Sequence, residues 1–255
     1  MMTKFNFRIL GLIFITVAIA AAATVSGCQS KAPPPGPGAG VSAGAPPPGP
    51  GASVGAGATS ITINSSTGVA SGDVIFAYVG TQSASAINVT TPTGWTLISG
   101  PLEQGGIQSY LFQRISDGTD GASYTFNFSG AVTVVGYASQ ITYRGVNNTA
   151  PVDSITTASQ TSGTTIALPA VSPSGSADLL VAFVADYGGL SSTVAATGMT
   201  NEIQPVGQNA ILDQQLISSG STGTRTATNL NSSVSDGFLF AVTPSRGVII
   251  QPVGE

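Results

Sequence analysis

From residue 59 onward, apolar runs of strand length alternate with clusters of Gly, Ser, Asn and Asp, with turn signals roughly every 8 to 15 residues. Few windows beyond the N-terminus carry an apolar 3.6-residue period, so helices are not expected. The pattern predicts strands near 60–64, 73–81, 95–98, 108–115, 123–128, 134–143, 164–171, 178–186, 199–204, 210–218, 223–229 and 237–243. Many short strands with turn punctuation indicate an all-β sandwich. Two of them, Val74–Val79 and Leu179–Val184, are apolar at every position, which suits central strands covered on both faces.

Sliding the chain by about 105 residues brings these two runs together and exposes an internal repeat. Asp73-Val-Ile-Phe-Ala-Tyr-Val79 falls on Asp178-Leu-Leu-Val-Ala-Phe-Val184, Ile61 and Ile63 fall on Ile166 and Leu168, and Gly94-Trp95-Thr96 falls on Gly198-Met199-Thr200. Further on, Gly121–Phe126 is set over Gly223–Thr228 and Gly136-Tyr137 over Gly237-Phe238. The expectation is a single jelly-roll-like sandwich built from two similar halves. Trp95 could serve as a sugar-stacking platform, but Met199 at the matching position shares only its apolar bulk, so Trp95 is read as a core plug.

The N-terminal pattern is different. Lys4 and Arg8 precede the apolar run Ile9–Val17, which gives way to small residues up to Gly27. That is the layout of a signal peptide, and the run is shorter than the roughly 20 residues a membrane-spanning helix needs. Val25-Ser26-Gly27-Cys28 resembles the lipobox of bacterial lipoproteins, and Cys28 is the only cysteine of the chain. The resemblance implies cleavage before Cys28 and its lipidation, with two or three acyl chains anchoring the protein. Gln29 stands where some lipoproteins carry an inner-membrane retention aspartate. An outer-membrane or cell-surface location is therefore expected.

Residues 32–44 recur almost unchanged at 45–57 as a Pro/Gly-rich duplicate, read as a tether reaching from about 30 Å as a coil to about 90 Å when extended. Gly40-Val41-Ser42-Ala43-Gly44 and Gly51-Ala52-Ser53-Val54-Gly55 match the spacing of a hydrolase nucleophile elbow. That device needs a strand, a tight turn, a helix and a histidine base, and the chain has no histidine. The expected organisation is a signal peptide at 1–27, a lipidated tether at 28–58, a sandwich at 59–246 and a C-terminal tail at 247–255.

Composition narrows the chemistry. After residue 27, Lys31, Arg114, Arg144, Arg225 and Arg246 face eleven acids, leaving a net charge of about −6. Four scattered arginines make no basic patch, so nucleic acid is not an expected partner. With its one cysteine assigned to lipid, the fold has no disulfide. Zinc would need His or thiolate ligands, and no paired-carboxylate strand is evident, so neither a cofactor nor catalysis is expected. Asp117 and Asp120, in Asp117-Gly118-Thr119-Asp120-Gly121, are the calcium candidates, although calcium wants six to eight oxygens, more than this turn supplies.

Gly72-Asp73, Pro92–Thr96, Ala122–Phe126, Tyr143–Val146 with Pro151-Val152-Asp153, and Thr222–Thr228 together resemble a recurrent β-sandwich module of bacterial surface and secreted proteins and phage structural proteins. The resemblance spans about residues 60 to 244 and implies architecture and a display or attachment context, with no catalytic residues to transfer. The expected function is non-catalytic adhesion or ligand binding, with a glycan or matrix protein as partner, presented through the loops 82–93 and 188–198. The alternative is a self-associating subunit of an extracellular polymer or envelope layer, using Gly247–Gln251 as a strand added to a neighbour's sheet.

Overall fold

The computed structural model describes residues 51–133, 135–190, 193–203, 208–216 and 218–253, and every regular element among them is a β-strand. The first half supplies β1 (Gly51–Gly55), β2 (Ala58–Asn64), β3 (Val74–Gln82), β4 (Val89–Thr90), β5 (Trp95–Gln104), β6 (Ile107–Ile115), β7 (Ser123–Val132) and β8 (Val135–Arg144). The second supplies β9 (Val152–Gln160), β10 (Thr165–Leu168), β11 (Leu179–Asp186), β12 (Ala195–Ala196), β13 (Thr200–Ile203), β14 (Asn209–Gln215), β15 (Arg225–Thr228) and β16 (Ser235–Val242), followed by β17 (Gln251–Pro252).

The strands form four antiparallel sheets. In the first half the order is β1-β8-β3-β6-β5, with β2-β7-β4 as a smaller sheet; in the second it is β9-β16-β11-β14-β13, with β10-β15-β12. Each strand of the second set is the counterpart, eight places later, of a strand in the first. First and last strands are neighbours in the large sheet, and second and seventh in the small one. This is the winding of a jelly roll, with the fifth strand moved to the large sheet.

Strand periodicity explains the layering. Along β3, Ile75, Ala77 and Val79 pack with Ile61, Ile63, Tyr124 and Phe126 of the small sheet, while Val74, Phe76 and Tyr78 point the other way. There they meet Leu179, Val181, Phe183, Phe238 and Phe240 of the second half's large sheet. On that sheet's far face, Leu180, Ala182 and Val184 pack with Ile166, Leu168 and Ala227. The layers therefore run small, large, large, small. Both β3 and β11 are covered on two sides, which is why their sequences show no polar alternation.

The central layer contains the Phe76–Phe240 pair at 5.0 Å and the stacked Tyr78–Phe183 pair at 6.5 Å. A buried polar group ties the same halves together. The Tyr78 hydroxyl donates to Asp236 Oδ1 at 3.1 Å and lies 2.7 Å from the Tyr187 hydroxyl, and Ser109 Oγ donates to Asp236 Oδ2. Burial pushes the Asp236 carboxyl up to about 7, against the pull of the Ser109 and Tyr78 donors. Gly80 leaves the room: a Cβ there would lie 2.1 Å from the Tyr187 hydroxyl. Satisfied networks of this kind specify one register between packed layers.

Some features depart from the sequence reading. The fold takes in residues 51–58 of the expected tether, because β1 pairs with residues 135–139 of β8 and would otherwise leave that strand's ladder open. Strand β9, half-buried along most of its length, lacks an apolar run yet covers the edge of β16. The register also moves the weaker part of the repeat. Ile61 pairs with Phe126 and Ile166 with Ala227, so Phe126 matches Ala227 rather than Thr228. A one-residue slip would turn every side chain of the strand to the wrong face.

Candidate functional site

Each half opens its central strand with a buried aspartate, Asp73 before β3 and Asp178 before β11, and their surroundings differ. Asp73 is 2% exposed. Arg144, at the end of β8, grips it bidentately, Nε to Oδ1 at 2.9 Å and Nη2 to Oδ2 at 2.7 Å. The Ala70 N–H donates to Oδ2 at 2.8 Å, and Arg144 Nη2 also reaches the Gly68 carbonyl at 2.9 Å. A buried carboxylate is stable when charge and hydrogen bonds are both matched, as here.

The register locates the equivalent arginine position in the second half. Val74 pairs with Tyr143 and Leu179 with Val242, so one step further along each ladder Arg144 corresponds to Thr243. Threonine is too short to reach the acid. Asp178 is 1% exposed, and among the described residues neither of its carboxylate oxygens makes a well-formed hydrogen bond, the Gly175 N–H and the Asp153 carboxyl being its polar neighbours. Burial first, and the adjacent Asp153 carboxylate second, raise its pKa. Asp153 itself accepts from the Ser174 N–H at 2.5 Å and from Ser174 Oγ at 3.2 Å.

Beside Asp178 lies a pocket of about 470 Å³, bounded by Gly175–Asp178 on one side and Thr243–Ile249 on the other. The chain beyond β16 builds the second wall by crossing to the first half. Val146 bridges Pro244, the Ser245 N–H donates to the Gly145 carbonyl at 2.7 Å, and Gln251–Pro252 pairs with Tyr143–Arg144. Gly145, at φ 86°, permits the crossing, since a Cβ there would lie 2.7 Å from Val248 Cγ1. Ile250 is buried, whereas Val248 and Ile249 remain 45% and 62% exposed at the rim. Of the segment Gly247–Gln251 considered for donation to a neighbour, Gln251 is the residue that pairs with a strand of its own chain, opposite Arg144.

The residues singled out from the sequence lie elsewhere. Cys28 and the 40–44 look-alike fall outside the described residues. Gly51–Gly55, the other look-alike, is strand β1 and not a strand–turn–helix elbow. Asp120 accepts from Arg114 Nε at 2.5 Å and from Ser116 Oγ; Asp117 accepts from the N–H and hydroxyl of Thr119, which hold its pKa down. The two carboxylates thus have donors of their own, and among the described residues no group of three or more His, Cys, Asp or Glu gathers to hold a metal. Trp95 is 7% exposed and packs edge-on against Tyr124 and Phe126 in the core. The sequence reading aligned Asp73 with Asp178 but stopped short of the arginine; its Gly136–Gly237 match carried on would have set Arg144 against Ser245, and only the ladder register sets it against Thr243. Compared with protein-family models, with curated proteins and with solved structures, the chain matches none of them.

Proposed function

We propose that the protein is a lipid-anchored binding module of the cell surface, non-catalytic, whose β-sandwich body presents loops and one pocket to an external ligand. The observation that carries this reading is the Val25-Ser26-Gly27-Cys28 lipobox followed by a duplicated Pro/Gly spacer and then a body made of strands. With β1 starting at Gly51, the spacer is residues 29–50, enough for about 70 Å if extended as polyproline II. A rigid scaffold with connections at its ends suits binding because the layers fix the loops in place. The connections that follow β3 and β11 are counterparts in the two halves.

The test is made on cells. Lys31 lies in the spacer, whereas Arg114 and Arg144 are held in salt bridges at strand positions. Trypsin cleaves exposed flexible chain first, so treatment of intact cells is expected to release a fragment starting at Ala32. Cys28→Ala is expected to abolish both incorporation of labelled fatty acid and membrane retention. Release only after lysis would place the body in the periplasm and end the surface reading. Concentration-dependent assembly of the released fragment on size-exclusion chromatography would favour the polymer-subunit alternative.

A further inference from the structure

We propose that the cleft between the β2–β3 and β6–β7 connections binds one neutral sugar residue, the end of a glycan chain. This rests on the reading of the protein as a binding module but not on where it is displayed. The two halves differ here at equivalent positions. Carried past the strand ends, the β2–β7 register sets Ser66 opposite Gly121, and the β10–β15 register sets Val171 opposite Thr222. In the second half these connections stay zipped: the Thr222 N–H donates to the Val171 carbonyl at 2.9 Å, the Val171 N–H to Thr222 Oγ1 at 3.2 Å, and the Gly220 N–H to the Pro173 carbonyl at 2.9 Å. In the first half one clasp joins the Ser65 N–H to the Ala122 carbonyl and another the Gly72 N–H to the Ser116 carbonyl, both at 2.8 Å. Between them the chain parts around about 410 Å³, bordered by residues 65–69, 118 and 120–122. That volume falls in the range of small-molecule sites.

The cleft is open and polar. Thr67, Gly68, Gly121 and Ala122 are exposed, and a Cβ at Gly68 would meet no atom within 4 Å. Hydrogen bonds fix the floor from behind. The Thr142 hydroxyl donates to Ser66 Oγ at 3.3 Å, Ser65 Oγ lies 3.3 Å from the Tyr124 hydroxyl, and Asp120 accepts from Arg114 Nε at 2.5 Å and from Ser116 Oγ. A site held in this way does not have to be ordered by its ligand. The lining selects a polyol, whose hydroxyls both donate and accept, as those of Ser65, Ser66 and Thr67 do. Both arginines beside the cleft are committed, Arg114 to Asp120 and Arg144 to Asp73, while the Asp117 side chain is 64% exposed on the same turn, so an anion is disfavoured. Calcium would want six to eight oxygens, and Arg114 already meets the Asp120 charge. The apolar lining, Val69 and Ala122, is too small to anchor a peptide side chain.

The experiment uses the full chain, purified in a detergent with no sugar head group, titrated with the methyl glycosides of glucose, galactose, mannose and N-acetylglucosamine and followed by NMR. At least one of the four is expected to shift resonances of residues 65–69 and 118–122 with a Kd on the order of millimolar, and methyl glucuronide to bind more weakly than the neutral glycosides. Gly121→Thr transplants the second half's threonine. A Cβ at Gly121 would lie 3.7 Å from the Ser123 carbonyl oxygen, an ordinary contact, so the variant should keep the wild-type melting temperature while binding is lost. Thr67→Ala should weaken binding by roughly twofold to tenfold, the loss of one hydrogen bond. No shift in that region from any of the four, unchanged binding in a folded Gly121→Thr, tighter binding of the glucuronide, or displacement of the sugar by calcium would each overturn the proposal. A free sugar that binds far more tightly than its methyl glycoside would overturn the glycan end as the ligand. Trypsin release tests where the module sits and this titration tests what it holds, so either can fail while the other succeeds.

Discussion

The two outer cores have the same strand order and different chemistry. In the first half the space between large and small sheets holds Trp95, Tyr110, Phe112, Tyr124, Phe126 and Phe128; in the second the corresponding cluster contains aliphatic residues and alanines and no aromatic ring. Phe112 pairs with Ala77 and Leu212 with Ala182, Trp95 pairs with Arg114 and Met199 precedes the Thr200–Asp213 pair, so each substitution is position for position. The topology therefore depends on which positions face inward, and the identity of the inward residue is free to change if volume is matched across the layer. Polar fittings are less transferable. Arg114 lies over the Tyr124 ring from β6, while in the second half Arg225, on the small sheet, reaches back to Gln214 at 3.0 Å.

The sharpest way to break the comparison is to cut the same position in both cores. Phe112→Ala is expected to cost about 3–5 kcal/mol and Leu212→Ala about 2–4 kcal/mol in urea unfolding, because the aromatic leaves the larger cavity. If Leu212→Ala costs more, the aliphatic half is the better packed of the two and the contrast reverses.

A second effect of similar size belongs to the seam between the halves, where Asp236 occupies the place that Tyr137 has in the first half. Its folded-state pKa of about 7 lies above the unfolded value of about 3.9, so the contribution of its proton is complete below pH 4. That contribution is lost as pH rises through about 7, with a total on the order of 4 kcal/mol. Wild type should therefore lose stability relative to Asp236→Asn between pH 4 and pH 7. A difference that is flat or rises across that window would remove the buried acid from the account of how the halves are held.

The smallest expected effect distinguishes the two aspartates. Arg144→Ala leaves Asp73 without its guanidinium; with Arg144 54% exposed and water able to enter, the cost is about 1–3 kcal/mol. Asp178→Asn removes a buried acid that lies beside Asp153 and has no cationic partner among the described residues, and it should be neutral or stabilising by about 1 kcal/mol. Equal and large losses at both sites would mean that Asp178 is matched as well by its neutral neighbours as Asp73 is by Arg144.

Much of the body was legible in the sequence because its strands are long apolar runs between turn residues, and β3 and β11 carry the strongest of these. Trp95 was legible as core through its alignment with Met199. Other parts carried no local signal. Gly51–Gly55 is Gly, Ala, Ser and Val in a Pro/Gly-rich context, and it becomes a strand only because β8 presents an open edge to it. Asp117 and Asp120 look like cation ligands in one dimension, yet Arg114 and Ser116 are close enough to take the second of them. The Asp178 pocket was hidden for a different reason: its walls come from residues 175–178 and 243–249, segments that meet only after the last strand has crossed between halves.

What the sequence determined by itself was the β class, the positions that alternate inward, and the expectation of a lipid anchor at Cys28, since each rests on neighbours along the chain. The tertiary structure decided the four-layer order, the inclusion of β1, and which aspartate is matched. Arg144 and Asp73 lie 71 residues apart, and a charge finds its counter-charge across a strand ladder rather than along the backbone.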